Sequence, residues 1–243
     1  MISASGYWKA EYRLPLKYNL NKNPRQTHVM EKNYPSLAFT TAVKEMQEKL
    51  GSRAAYARLE KSTYVSGMTA AELEFISGRD SFYMATISEN GYPYIQHRGG
   101  PKGFLKVLDP NRLGVIDFKG NAQYISVGNI ATHSNVALIM VDYPAQARLK
   151  IFAKAKIVEL KDDPALYRLL DLPGYKFRPE RMMVFDVEAY DWNCPQHIIP
   201  RYTVEDMEEI YTSQLEYIKK LEAEIKTLRA EIDRDLGISG LPG

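Results

Sequence analysis

The sequence predicts a mainly β protein of the α+β class, in which antiparallel strands close into a barrel with flanking helices and a long C-terminal helix. Three observations carry this prediction. Short segments rich in β-branched and aromatic residues follow one another over residues 81–192 with hairpin-length connections. One of them, residues 147–160, alternates between small or aliphatic side chains and a second, mostly basic set. From Thr203 onward, apolar residues instead recur every three or four positions, which is typical of a helix.

Composition and charge narrow the classes of function. The chain has 243 residues, of which 45% are hydrophobic and 26% charged, as in ordinary globular proteins. Its formal net charge of +2 gives no bulk attraction for nucleic acid. No apolar run is long enough to span a membrane, and the N-terminus lacks the apolar core of a secretory signal. From the charge and the lack of a long apolar run, we expect that the protein binds neither nucleic acid nor membranes. Because a single cysteine allows no intrachain disulfide, we also expect it to be cytoplasmic.

The chain divides into three predicted parts. Residues 1–68 form an N-terminal arm and helices, residues 69–202 form the barrel, and residues 203–243 form the C-terminal helix. Residues 1–35 are aromatic, polar and interrupted by prolines, so we expect an extended arm that lies over the fold.

The helices before the barrel are predicted from apolar spacing and capping signals. Residues 36–50 carry apolar side chains on one side, and residues 51–59 form a second helical stretch. Thr69 is followed three positions later by Glu72, which is a capping box, and Gly78 supplies a stop signal. We therefore expect a third helix between Thr69 and Gly78.

The strands follow in chain order. Two β-rich runs from Ser81 meet at Asn90-Gly91, a pair that favours a hairpin because both turn positions take positive φ. Further strands are expected at residues 112–118, 135–143, 147–160 and 182–192, with helices at 121–133 and 164–170. Five or six consecutive strands form an antiparallel sheet, which closes into a barrel to bury its apolar face without long exposed edges.

The C-terminal helix has a heptad pattern. Its a positions are Val204, Tyr211, Ile218, Ile225 and Ile232, and its d positions are Met207, Gln214, Leu221 and Leu228. Isoleucine at a with leucine at d favours a parallel two-stranded coiled coil. An amphipathic helix packed on its own barrel would show a similar stripe, so both alternatives stay open.

The common catalytic and metal-binding motifs are absent from the sequence. It contains no phosphate-binding loop of the Walker type, no dinucleotide-binding fingerprint and no nucleophile elbow. The four histidines are scattered without metal-ligand spacing, so no metal site is expected. Cys194 and His197 could form a nucleophile and base, but a lone cysteine is more often a small buried hydrophobic residue.

Two glycine-containing segments have the chemistry of an anion site. In residues 92–107 and 117–129, small residues let backbone approach a ligand, and the second segment leads into a predicted helix. A helix N-terminus attracts anions because its N–H groups are free and its dipole is positive. The basic residues expected nearby are Arg98, Lys102, Arg148 and Lys150. Together these features suit a phosphorylated planar ligand.

Three segments of the predicted barrel carry more specific signatures. They read MATISENGYPYIQHRGG, GVIDFKGNAQYISVGN and ALIMVDYPAQARLKIFAKAKIVE. They resemble the pyridoxamine 5′-phosphate oxidase family of FMN-binding split barrels, whose FMN-binding branch carries the same Q-H-R-G-G and G-N-x-Q-Y-I-S-x-G-N patterns. The resemblance covers residues 70–202 in order. It implies an FMN-binding split β-barrel that forms a homodimer with flavin sites at the subunit interface.

The resemblance also implies which residues contact the cofactor. Those expected along FMN are Gln96, His97, Arg98, Gly99, Gly100, Asp117 and Phe118. Asn121, Ala122 and Gln123 take the place of a Ser-Arg-Lys triplet that holds the phosphate in the oxidase, so the positive charge would come from elsewhere. Arg98, Lys102 and Arg148 are the candidates, and Arg148 takes the place of a glutamine that contacts the ring system.

The segment WNCPQHIIPRY, residues 192–202, is similar to a wall of the family's flavin site, and we call it the wall segment. Trp192 and Arg201 match a tryptophan and an arginine that family members send from the neighbouring subunit onto the flavin. Gln196 and His197 lie between them and are expected to face the ring. PQHIIPR replaces the family's R-L-H-D-R run, which holds the pyridoxal ligand, so oxidation of pyridoxamine phosphate is not expected.

The resemblance thus implies an FMN-dependent oxidoreductase that acts on a small organic substrate, with His197 as the proton donor. One alternative is a module that binds a flavin, haem or deazaflavin without turnover. Another is an interaction protein built around the C-terminal helix, with a vestigial barrel site.

Overall fold

The computed structural model describes residues 33–62, 67–192 and 195–235, and it confirms the predicted class. Seven strands form one antiparallel sheet. Their bounds are β1 Ser81–Ile87, β2 Pro93–Gly99, β3 Lys106–Asp109, β4 Arg112–Phe118, β5 Asn135–Asp142, β6 Ala147–Val158 and β7 Pro179–Trp192. The helices are α1 Tyr34–Ala38, α2 Thr41–Lys49, α3 Arg53–Ser62, α4 Ala70–Ser77, α5 Ile125–Thr132, α6 Pro164–Leu170 and α7 Val204–Asp235.

The sheet runs in the order β2-β1-β5-β6-β7-β4-β3, so β2 and β3 are its two edges. The inner face encloses one large apolar core to which most of the strands contribute. On β6, Leu149, Ile151, Ala153 and Ala155 are buried, while the basic residues between them point outward. The predicted alternation of this strand is therefore confirmed, and it fixes which face of the sheet is the interior.

Several predicted boundaries differ from the structure for local reasons. The helix expected at 36–50 is two helices, α1 and α2. Thr40 lies between them in an extended conformation, and its hydroxyl caps α2 by accepting from Val43 N. The hairpin at Asn90-Gly91 is present, but its connection is longer than two residues and Gly91 is the member of the pair with positive φ. A further strand, β3, follows the glycines of the 92–107 segment, at a place where the sequence predicted no strand.

The helix expected at 121–133 begins only at Ile125, after a loop in which Ala122 and Tyr124 have φ of 60° and 54°. The last strand begins at Pro179, three residues before its predicted start. The capping box is confirmed, because the Glu72 carboxylate accepts from Thr69 N at 2.7 Å.

Helix α1 lies on the outer face of the sheet. Tyr34 of α1 stacks on Phe152 of β6 with ring centroids 4.7 Å apart, and the Lys150 ammonium lies 4.6 Å from the Tyr34 ring centroid. Most of the predicted arm, together with Cys194, lies outside the described residues. No helix in the described part of the chain is long and apolar enough to cross a membrane.

Gly100, which the resemblance assigns to cofactor binding, also has a packing role. A Cβ at this position would lie 2.8 Å from Cβ and Cγ of Phe104, a core residue that stacks on Phe82. We expect Gly100→Ala to lower the free energy of unfolding by about 1–3 kcal/mol, because the buried ring has to move. Gly128→Ala is the control, since its Cβ would meet nothing within 4 Å and alanine favours the helix. Denaturant unfolding compares them, and equal stability of the two variants would contradict the packing role.

Candidate functional site

Asp117 lies at the centre of a buried charge cluster that joins three strands. Its carboxylate accepts from Arg98 Nη1 of β2 and, at 3.1 Å, from Arg181 Nη1 of β7. Asp117 is 6% exposed, and both guanidinium groups are largely buried. Because β2 is a sheet edge and β4 lies next to the opposite edge, the Arg98–Asp117 pair connects the two sides of the sheet where the barrel is split.

Gln96 connects this cluster to helix α5. Its Oε1 accepts from Ser126 Oγ at 2.7 Å and from Arg98 Nη2 at 3.3 Å. Gln96 and Arg98 pair across β1 with the buried residues Met84 and Phe82, so they face the interior. We call Gln96, Arg98, Asp117 and Arg181 the Asp117 cluster.

The N-terminus of α5 lies beside the Asp117 cluster and has the geometry of an anion site. Tyr124 precedes the helix in a left-handed conformation and gives it no side-chain cap. Left-handed residues next to right-handed ones turn successive N–H groups toward one point, and the helix dipole adds positive potential there. The Arg181 guanidinium lies 5.0 Å from the Tyr124 ring centroid, and Tyr124 OH donates to Glu180 at 3.3 Å.

The charge balance around this helix start favours an anion. Within the cluster, Arg98 and Arg181 are matched by Asp117 and the neighbouring Glu180. Arg98 Nε is buried without a hydrogen-bond partner among the described residues. Lys119 N donates to Arg178 O at 2.8 Å, and neither side chain forms an ion pair within the described part of the chain. The cations of Lys119 and Arg178 thus lie beside the loop before α5, whose Asn121-Ala122-Gln123 triplet carries no positive charge.

The strand alternation separates the predicted cofactor residues into two groups. His97 faces outward from β2, edge-on to Tyr83 at 5.3 Å between ring centroids. The same row of outward side chains continues across the sheet from Tyr83 to Ile139 of β5 and Lys150 of β6. Arg148 lies on this outer side of β6, and its buried Nε has no partner among the described residues. The structure therefore brings together Gln96, Arg98 and Asp117, and it places His97 and Arg148 on the opposite face.

The remaining predicted residues of the barrel have other surroundings. Gly99 ends β2, and Gly100 follows it and packs on Phe104. Phe118 lies against Phe177 at 4.8 Å between ring centroids. Asn121 and Gln123 are exposed in the loop before α5, and Asn121 Oδ1 accepts from Gln123 N at 3.2 Å. These two side chains can reach a ligand at the helix start.

Trp192, the first residue of the wall segment, is held by helix α4 of its own subunit. Its Nε1 donates to Glu72 Oε1 at 2.6 Å, and its ring lies edge-on to Phe75. Burial alone would raise the pKa of the Glu72 carboxyl, but hydrogen bonds from Thr69 and Trp192 outweigh it and lower the pKa. Burial and the Glu72 charge raise the pKa of Tyr190 to about 12.

Ile198 and Arg201 of the wall segment lie on the turn between β5 and β6. Gln146 Nε2 donates to Ile198 O at 2.6 Å, and the Arg201 guanidinium lies 4.8 Å from the Tyr143 ring centroid. Gln196 and His197 are exposed in a tight turn closed by Ile198 N donating to Pro195 O, with His197 at a φ of 66°. This turn presents both side chains to whatever lies against the wall segment.

Two residues of the site escaped prediction from the sequence. Arg181 directly precedes the stretch that was assigned to β7, and its pairing with Asp117 across the sheet needed the register. Ser126 was part of a predicted helix, where its position gave no functional signal. In the described ranges, no three histidine, cysteine, aspartate or glutamate side chains come together as a metal site.

A family model described as pyridoxamine 5′-phosphate oxidase matches residues 68–184. No curated protein matches the chain.

Solved structures with a similar fold include three from bacteria. A pyridoxinephosphate oxidase family protein from Clostridium acetobutylicum is 16% identical, with a TM-score of 0.40, over 56% of this chain and 93% of that one. An FMN-binding protein from Syntrophomonas wolfei is 13% identical, with a TM-score of 0.39, over 61% and 97%. The haem storage protein HutZ from Vibrio cholerae is 16% identical, with a TM-score of 0.33, over 50% and 91%.

Proposed function

Through residues 68–184 this chain belongs to the pyridoxamine 5′-phosphate oxidase family, and we propose that it binds FMN and acts as an FMN-dependent oxidoreductase on a small organic substrate. The observation that carries the proposal is the start of α5. There an uncapped helix N-terminus, two left-handed residues and nearby cations converge beside the family's glutamine and arginine signature.

The residues present fit a flavin phosphate. The phosphate would lie at the N–H groups of the α5 start, with Asn121 and Gln123 beside it. Lys119 and Arg178 would supply the positive charge, because Asp117 already neutralises much of that of Arg98. Arg98 would add its Nε, which is buried without a hydrogen-bond partner among the described residues. Charge-assisted hydrogen bonds of this kind are about twice as strong as neutral ones.

The wall segment would complete the site in a homodimer. We expect Trp192, Gln196, His197 and Arg201 of one subunit to lie against the flavin region of the other. This arrangement is compatible with the contacts on α4 and on the β5–β6 turn, since those hold the wall segment from its own barrel and leave Gln196 and His197 exposed.

The bound flavin would supply the electron transfer, and the protein would supply placement and electrostatics. Arg148 or Arg201 would hold a positive charge near the pyrimidine end of the ring. The exposed imidazole of His197 would hold the proton that a small substrate gains or loses. The prolines on both sides of His197 limit its backbone motion and so help to fix its position.

Placing charge at the α5 start tests the proposal. Gln123→Glu puts a carboxylate beside the proposed phosphate, and we expect the Kd for FMN to rise about tenfold or more through like-charge repulsion. Gln123→Lys is the matched variant of opposite sign and is expected to bind FMN at least as tightly as the native protein. Flavin fluorescence titration measures both.

Riboflavin, which lacks the phosphate, separates a local electrostatic effect from a general one. Its Kd is expected to change little in either variant. Equal weakening of riboflavin and FMN by Gln123→Glu would contradict the phosphate position. The absorption spectrum of the purified protein and mass spectrometry of its extracted cofactor distinguish FMN from the alternatives, and a Soret band with bound haem would overturn the flavin assignment.

A further inference from the structure

Helix α7 presents a long apolar stripe that none of the described residues of its own subunit covers. The helix has 32 residues, and every residue from Glu208 to Asp235 is exposed. The exposed stripe includes Tyr211, Ile218, Leu221, Ile225, Leu228 and Ile232. Of the two arrangements that the heptad pattern allows, packing of α7 on its own barrel is therefore not the one observed.

We propose that α7 pairs with α7 of a second copy of this chain in a parallel, in-register, two-stranded coiled coil. In this register Ile218, Ile225 and Ile232 occupy a positions, and Leu221 and Leu228 occupy d positions. β-Branched residues at a with leucine at d give the side-chain geometry that favours two parallel strands. At 1.5 Å per residue the helix is about 48 Å long, which is more than four heptads.

Gln214, the one polar residue at a central d position, favours the parallel orientation. In a parallel pair d faces d, so the two Gln214 amides meet and can hydrogen-bond to each other. In an antiparallel pair d faces a, so each amide would lie against the apolar Ile225 of the partner subunit. A buried amide without a partner is costly, and a single polar core residue is a common device for fixing register.

The flanking positions favour the same orientation. In a parallel pair, g residues lie next to e residues of the following heptad of the other helix. Glu224 then lies beside Arg229 of the partner subunit, and Ile210 beside Leu215 of the partner subunit. An antiparallel pair along the whole helix would instead place Ile210 beside a glutamate, Glu231 of the partner subunit.

The start of α7 directly follows the wall segment and is capped locally, so the coil would hold both barrels at one end. Thr203 N donates to Asp206 Oδ2 at 2.9 Å, and Asp206 N donates to Thr203 Oγ1 at 3.1 Å. The hydrogen bond from Thr203 lowers the pKa of Asp206, and the charges of Lys102 and Arg79 act in the same direction. This pairing goes beyond the proposed flavin function and does not depend on it.

Disulfide cross-linking of the full-length chain tests the pairing. The sequence has one cysteine, so Cys194→Ser gives a cysteine-free background. In that background, Leu228→Cys places a thiol in the seam far from the helix midpoint, where a parallel in-register pair brings two copies together. Ala230→Cys is the matched control, because it lies two residues away on the outer f position. Under mild oxidation we expect Leu228→Cys to form a covalent dimer and Ala230→Cys to remain largely unlinked.

A mixture of Tyr211→Cys and Leu228→Cys proteins identifies the orientation. Peptide mapping is expected to find 211–211 and 228–228 links and no 211–228 link. A dominant 211–228 link would show an antiparallel pair and overturn the proposal. So would equal linking of Leu228→Cys and Ala230→Cys, no linking at all, or a native mass above twice 27.8 kDa.

Charge reversal at the g–e pair gives an independent check. Arg229→Glu is expected to slow the cross-linking of Leu228→Cys several-fold, because it faces Glu224 of the partner subunit. Adding Glu224→Arg restores an opposite-charge pair and is expected to restore the rate. An unchanged rate in Arg229→Glu would contradict the parallel register. None of these readouts involves flavin, so failure of the proposed function leaves them interpretable, and the reverse also holds.

Discussion

Asp117→Asn is expected to lower the free energy of unfolding by about 3–5 kcal/mol, because it leaves the buried Arg98 guanidinium without a counter-charge and leaves the buried Arg181 with Glu180 alone. The native carboxylate accepts from both Arg98 and Arg181. The asparagine amide is nearly the same shape but can accept on one side only. Its NH2 group would face a guanidinium donor on the other side. Urea or thermal unfolding measures the loss.

Asp186→Asn is the matched control for the loss of a carboxylate. Asp186 lies on β7 and pairs with the Lys156 ammonium at 2.5 Å, but the lysine side chain is 66% exposed and stays hydrated when its partner is removed. Exposed ion pairs contribute about 0–1 kcal/mol, so the control should stay within that range. A loss below about 1 kcal/mol in Asp117→Asn would show that the Asp117 cluster does not hold the split of the barrel together.

The parts of this fold that could be predicted are those encoded by neighbouring residues. The alternation of β6, the capping box at Thr69 and Glu72, and the heptads of α7 each depend on side chains a few positions apart. Hydrophobic periodicity and helix capping depend on residues that are close in sequence, so both can be predicted from the sequence alone. Boundary errors arose where a local signal was weak, as at β3, or where a capping residue divided a helix, as at Thr40.

The candidate site depends on distant residues, and much of it could not be predicted. Arg98 of β2 meets Asp117 of β4 although the two strands are not neighbours in the sheet, and Arg181 joins them through the register of β4 with β7. Asp117 had been expected beside the flavin ring, and the structure adds that both of its oxygens bond to arginines. The alternation of β2 predicts that His97 faces the side opposite to Gln96 and Arg98. The Q-H-R-G-G signature, in contrast, assigns all three residues to cofactor binding because they are contiguous in the sequence.

Lesions in the wall segment of one subunit and in the phosphate position of the other are expected to complement each other across the subunit interface. If the wall segment of one subunit completes the flavin site of the other, two lesions carried on different subunits can complement each other. Gln123→Glu damages the proposed phosphate position, and Arg201→Glu damages the wall segment. Each homodimer is expected to bind FMN about tenfold more weakly. Arg201 is exposed, so its replacement should cost little stability beyond the contact with Tyr143.

Co-expression of the two variants with different tags allows purification of the heterodimer. In a shared-site dimer, one site of the heterodimer carries both lesions and the other carries none, so half of its sites are expected to bind FMN with native affinity. In an unselected equal mixture about one site in four recovers, because about half of the dimers are mixed. If each barrel instead uses the wall segment that its own β5–β6 turn holds, every heterodimer site carries one lesion. Titration would then find no site of native affinity, and the wall segment would belong to its own subunit's site.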